Sequence, residues 1–226
     1  MEKHIFTILI AFLSSIFLLS SCGGGTNSSA PAPAPVVNTT TDPTGDTLGI
    51  GGASVNYDIT SIKTIRTGSV GATTYDKLTI AITFAQAVSI PSAGNFNGPS
   101  DLYGIIAIDA DKDSSTGLPS SEYNGGICGS TPLGQELKID LVNGRRASGG
   151  GYQIIDNTPA HVGEATPSAS GNTLTLVVPL SELGGDDGET DLGIVIGDEH
   201  GRTDCAPGAG TTLHPTVISL EGLNPW

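Results

Sequence analysis

Residues 108–117 read IDADKDSSTG, with Asp109, Asp111 and Asp113 on alternate positions directly after the apolar run LYGIIAI. Two carboxylates about 6 Å apart repel by roughly 0.7 kcal/mol in water and by several times that at a protein surface. Oxygen ligands on alternate residues can converge on one hard cation, and calcium accepts six to eight of them at about 2.3–2.6 Å. Such an ion would offset the repulsion, and Gly117 supplies the backbone freedom to close the loop around it. An EF-hand begins the same way, but it needs Gly at the sixth position and Glu at the twelfth, where this chain has Ser114 and Ser120. A strand pattern also precedes the loop in place of a helix, so the EF-hand is excluded. Further oxygen has to come from a backbone carbonyl near Ser115, from water and from a neighbouring strand. Glu136, which opens GQELKIDL, is the first choice because its strand would lie beside the one ending at Asp109; Glu122 is the reserve. The competing reading is a solvated acidic turn whose aspartates make Asx-type bonds to the backbone.

Two other acidic groups bear on chemistry. In GDEHGRTD, Asp198, Glu199, His200 and Asp204 have the types for an acid/base or metal cluster, although a hydrophilic loop explains the same letters. Asp186, Asp187, Glu189 and Asp191 form a second acidic group, read as a solvated turn in preference to another calcium site. The chain has no G-x-S-x-G elbow, no H-E-x-x-H, no phosphate-cradling G-x-x-x-x-G-K and no dinucleotide fingerprint. The expectation is therefore a protein that is not an enzyme.

The elements that must position these residues are short, β-branched and bounded by Gly, Asn, Asp or Pro. The pattern predicts strands at Val55–Ile65, Lys77–Val88, Leu102–Ile108, Glu136–Val142, Tyr152–Ile155, Thr173–Val178, Leu192–Ile196 and Thr216–Leu220. In LTIAITF, Leu78, Ile80, Ile82 and Phe84 alternate with Thr79, Ala81 and Thr83, which predicts one buried face and one wet face. The one helical hint is a single turn at Leu180–Leu183. About eight strands with Gly at 32 of 226 residues predict an all-β fold, an antiparallel β-sandwich of the jelly-roll or immunoglobulin-like kind.

The first 22 residues, MEKHIFTILIAFLSSIFLLSSC, join a charged start to an apolar segment from Ile5 to Leu19, shorter than the ~20 residues that span a bilayer. This predicts a cleaved export signal over residues 1–21. Leu19-Ser20-Ser21-Cys22 resembles the lipobox of bacterial lipoproteins, which implies that Cys22 carries acyl chains as the first mature residue. Residues 22–47, rich in Gly, Ser and Ala-Pro, predict a tether, and residues 48–226 a single domain. Gly23, in place of an Asp after the cysteine, favours the outer membrane. Cys128 and Cys205 are then left as a disulfide pair, which would stabilise the fold by about 4 kcal/mol. The net charge of −14 opposes nucleic-acid binding and suits divalent cations.

The succession DPTGDTLG, NYDITSIKTI, LTIAITF, IDADKDSSTG, GQELKIDL, LVVPLSELGG and TDCAPGAG resembles exported bacterial β-sandwich domains related to family 9 carbohydrate-binding modules and DOMON-like domains. That resemblance implies a jelly roll with structural calcium, held by Asp109, Asp111 and Asp113 and completed by Glu136. Sugar-binding modules stack aromatic rings on pyranose faces, whereas Trp226 is the only tryptophan here, so sugar binding is not itself predicted. The functional expectation is a lipid-anchored, calcium-stabilised, non-catalytic module that binds a polysaccharide, protein or envelope component. The alternatives are a structural or assembly lipoprotein without a small ligand, and a calcium-dependent hydrolase using the His200 region.

Overall fold

Alternation writes the clearest strands. In KLTIAITF every second residue is buried, and Leu78, Ile80, Ile82 and Phe84 are fully enclosed while the threonines stay half-exposed. A computed structural model describes residues 30–48, 52–72, 74–90, 101–118, 133–142, 146–184, 189–198, 200–206 and 218–221. Those from Ala32 onward belong to one unit. Its strands are β1 (Val36–Thr41), β2 (Ile59–Thr67), β3 (Lys77–Phe84), β4 (Tyr103–Asp109), β5 (Leu137–Asp140) and β6 (Tyr152–Asp156). β7 (His161–Ser170), β8 (Thr173–Pro179), β9 (Glu189–Asp198), β10 (Gly201–Ala206) and β11 (Ile218–Glu221) complete the set. The only helical element among the described residues is the expected single turn, a 3-10 turn at Leu180–Leu183 that Gly184 ends in the left-handed conformation.

Every pairing is antiparallel, in the order β1-β2-β3-β8-β7-β6-β5-β4-β9-β10, with β11 on β9. The all-β expectation therefore holds, and among the described residues there are eleven strands where about eight were expected. Hydrogen bonding runs along one continuous path through these strands. β7 makes this continuity: Tyr152 pairs with Ala165 on its first half, and Val177 pairs with Thr166 on its second. The path curls until its far ends meet, because the Ile59 amide of β2 donates to Asp204 Oδ2 of β10 at 2.7 Å.

Three strands escaped the sequence reading for the same reason: they carry too few apolar residues to alternate. β1 is VVNTTT, lying inside the segment read as tether, and it adds to β2 with Val36 opposite Arg66 and Thr41 opposite Ser61. β7 is HVGEATPSAS, with Ala165 its only buried residue. β10 is GRTDCA, whose buried face includes Thr203 and Asp204.

One apolar core fills the curl, drawing Ile62, Ile80, Ile106, Ile139, Ile154 and Leu176 from six strands. A smaller cluster of Ala107, Leu133, Val195 and Cys205 lies on the other face of β4, β9 and β10, covered by Leu48. β4 is therefore buried on both faces, which explains its unbroken apolar run. Cys205 is fully buried; Cys128 lies outside the described residues, and a bridge between them stays an expectation.

Ile139 is enclosed between Ile106 of β4 and Ile154 of β6. Ile139→Ala is expected to cost about 2–5 kcal/mol, read as a lower urea midpoint at an unchanged slope.

Candidate functional site

β4 runs its buried pattern one residue past the apolar stretch, so Asp109 enters the interior with 1 % of its surface exposed. Antiparallel pairing of Ile108 with Leu137 then sets Glu136 beside the strand end. Glu136 Oε2 accepts the Ala110 amide at 2.9 Å, and Asp109 Oδ2 accepts the Gly134 amide at 3.0 Å. Carboxylate oxygens of Asp109, Asp111 and Glu136 all lie within 4.8 Å of one another. The register thus brings Glu136, the residue that strand adjacency singled out, together with Asp109 and Asp111. Glu122 lies outside the described residues.

Asp113 is placed differently. Its Oδ1 accepts the Ser115 amide at 3.0 Å and the Ser115 hydroxyl at 2.6 Å, and these bonds hold its carboxyl below the usual range. The carboxylate expected to be the third ligand closes a turn instead, because Lys112 in the left-handed region (φ 55°) bends the chain between Asp111 and Asp113. Asp111 Oδ1 accepts the Asp113 amide at 2.9 Å in the same style. The Asx-type bonds of the competing reading are therefore present together with the three-carboxylate group.

Two observations mark a concentration of negative charge and oxygen here. Asp109 Oδ1 is buried with no hydrogen-bond partner. Burial, together with the charges of Glu136, Asp111 and Asp191 and against the Gly134 bond, pushes the Asp109 carboxyl up to about 6. Thr116 supplies the second. Its hydroxyl lies 2.8 Å from Glu136 Oε1, 2.9 Å from the Asp113 carbonyl, and 3.2 and 3.3 Å from the two Asp111 oxygens. One hydroxyl proton serves one of these four acceptors, so the others are oxygens converging without a proton between them.

The loop can pack this closely because two positions lack a side chain. Gly117 has φ +64°, and a Cβ there would stand 2.6 Å from Glu136 Oε1. A Cβ on Gly134 would stand 2.6 Å from the Thr116 carbonyl. The Leu118–Gln135 bridge, with N···O distances of 2.8 and 2.9 Å, clamps the loop base. Beside the carboxylates lies a pocket of about 290 Å³, lined by Asp111, Glu136, Leu137, Asp156 and Leu183 among others.

Asp156, Asp191 and Thr116 were not read as belonging here. Asp191 was grouped with Asp186, Asp187 and Glu189, yet strand pairing sets it opposite Asp109; Asp186 and Asp187, like the side chain of Glu189, lie outside the described residues. The T-G ending of the loop was the available signal for Thr116.

The His200 group does not gather as one. Asp198 Oδ1 accepts the amides of His200 at 2.9 Å and Gly201 at 3.2 Å, while Oδ2 accepts those of Ser54 and of Val55, the latter at 3.0 Å. Although burial opposes it, these four bonds hold its carboxyl below the usual range. Asp198 is a tie between β9 and the 54–55 segment, with both oxygens engaged and His200 Nδ1 3.9 Å away. Asp204 lies at the β2–β10 seam instead, and Glu199 lies outside the described residues. Cys22 also lies outside them.

Compared with known proteins, the chain matches no protein-family model, no curated protein and no solved structure.

Gly117→Ala forces a side chain into the left-handed region and against Glu136. It is expected to cost about 1–3 kcal/mol, seen as a lower denaturation midpoint in chelator, where no ion contributes.

Proposed function

We propose that the protein is a lipid-anchored, non-catalytic β-sandwich whose acidic loop binds calcium and presents a binding surface at the bacterial envelope. The observation that carries this reading is the buried, partnerless Oδ1 of Asp109 at the convergence of three carboxylates. An all-oxygen donor set without nitrogen or sulfur suits a hard cation. Asp109, Asp111 and Glu136 would hold it, while Asp113 shapes the loop. The bound ion supplies positive charge where the fold gathers negative charge. Its role is to preorganise the loop and the neighbouring pocket.

The pocket beside the loop, which Asp111, Glu136 and Asp156 line in part, supports a binding role. A polyhydroxyl ligand with an apolar ring face suits this lining, because hydroxyls donate to the carboxylates and ligate calcium while the ring face meets Ala110, Leu137 and Leu183. Polysaccharide or a glycosylated envelope component is the partner class. Lipid attachment at Cys22, by the lipobox resemblance, and outer-membrane placement complete the proposal. The engaged oxygens of Asp198 weigh against the hydrolase alternative.

At calcium a hundredfold above Kd, binding adds about 2.7 kcal/mol, or roughly 5–11 °C in Tm for a domain of this size. Thermal melts are expected to show at least that rise over fully demetallated protein, a rise smaller by about that amount in Asp111→Asn, and one kept nearly whole in Asp113→Asn. Identical melting with and without calcium would falsify the loop's role.

Glycan-array binding is expected with calcium and to fall at least tenfold in chelator. An array with no signal above background in either condition would remove the polysaccharide proposal while leaving the ion site intact.

A further inference from the structure

A second gathering of carboxylates lies at the seam where the ends of the sheet meet. The segment DPTGD, residues 42–46, passes from β1 towards β2 with Asp42 and Asp46 on it, and Asp204 rises from β10. Carboxylate oxygens of Asp42, Asp46 and Asp204 all lie within 4.8 Å of one another. A shift in register between Arg202 and Asp204 turns β10 here, so Thr203 and Asp204 are both fully buried. Asp204 accepts the Ile59 amide at 2.7 Å and the Cys205 amide at 2.8 Å.

Two further observations point to a ligand. Both carboxylate oxygens of Asp46 are buried, and beyond a contact with the residue's own amide neither has a hydrogen-bond partner. Asp58, 7 % exposed, accepts the Gly45 amide at Oδ2 at 2.9 Å, and its Oδ1 is buried without a hydrogen-bond partner. Asp58 is close enough to Asp46 for its charge to add to burial in raising the Asp46 carboxyl. The charges acting on Asp46 and Asp204 are those of Asp58, Asp42 and Asp46, all negative. Buried anions of this kind are retained when a cation neutralises them.

We infer that Asp42, Asp46 and Asp204, with Asp58 beside them, form a second oxygen site for a hard divalent cation of the calcium class, pinning the 42–48 segment to the β2–β10 seam. The neighbouring bonds mark what the ion would lock. The Leu48 amide donates to the Thr203 carbonyl at 2.6 Å, the Asp42 amide to the Thr60 carbonyl at 3.0 Å, and the Thr203 hydroxyl to the Tyr57 carbonyl at 2.8 Å. This site shares no residue with the Asp109 loop, so each stands or falls separately.

Bound calcium per chain, measured by equilibrium dialysis on the full chain in detergent, tests the inference. The expected counts are two ions for the wild type, one for Asp46→Asn, one for Asp111→Asn and none for the double variant. A single wild-type ion that disappears in Asp46→Asn but persists in Asp111→Asn also supports this site and removes the other. Overturning results are a wild type without calcium, or an Asp46→Asn protein holding as many ions as the wild type. Should Asp46→Asn not fold, hydrogen exchange in Asp111→Asn decides: slower exchange at the Gly45 and Leu48 amides on adding calcium supports the site, and unchanged exchange overturns it.

Discussion

Negative charge held inside a curled sheet is the constraint to which the rest of the structure answers. With 23 acidic residues against 9 basic ones, the chain has few cations to spend on its carboxylates. Yet it buries Asp109 to 1 % exposure and Asp204 completely. Backbone amides meet part of their hydrogen-bonding need, one at Asp109 and two at Asp204. Amides are dipoles and leave the net charge in place, so the carboxyls are pushed up to about 6 and about 7 respectively, chiefly by burial. The loops around both residues are organised about a charge that only a counterion relieves without protonation.

The two acidic groups share a plan of construction. Each takes a fully or nearly fully buried aspartate from a strand, where packing fixes its position, and brings a second carboxylate from a neighbouring loop. Asp109 at the end of β4 meets Asp111 from its own loop and Glu136 from the approach to β5. Asp204 in β10 meets Asp42 and Asp46 from the segment after β1. A strand held by its ladder sets the position of one carboxylate and a connecting segment brings the others to it.

Much of this was legible in the sequence, and the boundary of what was legible is physical. Alternation marked β3 because Leu78, Ile80, Ile82 and Phe84 share one buried face. It marked β5 as well, and adjacency of β5 to β4 then gave Glu136. β7 left no such trace, since its residues are mostly exposed and its contribution is hydrogen bonding to two neighbours. Local spacing gave three evenly spaced aspartates but not the turn at Lys112 that sends the Asp113 carboxylate to Ser115. The Asp42–Asp46–Asp204 group was invisible for a different reason: its members are up to 162 positions apart, and DPTGD carries the Pro and Gly of an ordinary linker.

The order of strands carries a consequence for how the chain acquires its shape. β3 takes β2 on one edge and β8 on the other, and Leu78 meets Val178 about a hundred residues downstream. A polypeptide emerging from its amino end therefore holds a finished β2–β3 hairpin whose second edge must wait for the later part of the chain. An unpaired strand edge with one apolar face is a template for pairing with other chains. The β3–β8 ladder closes over a high sequence separation, the kind of contact whose loop-closure cost lowers folding rates.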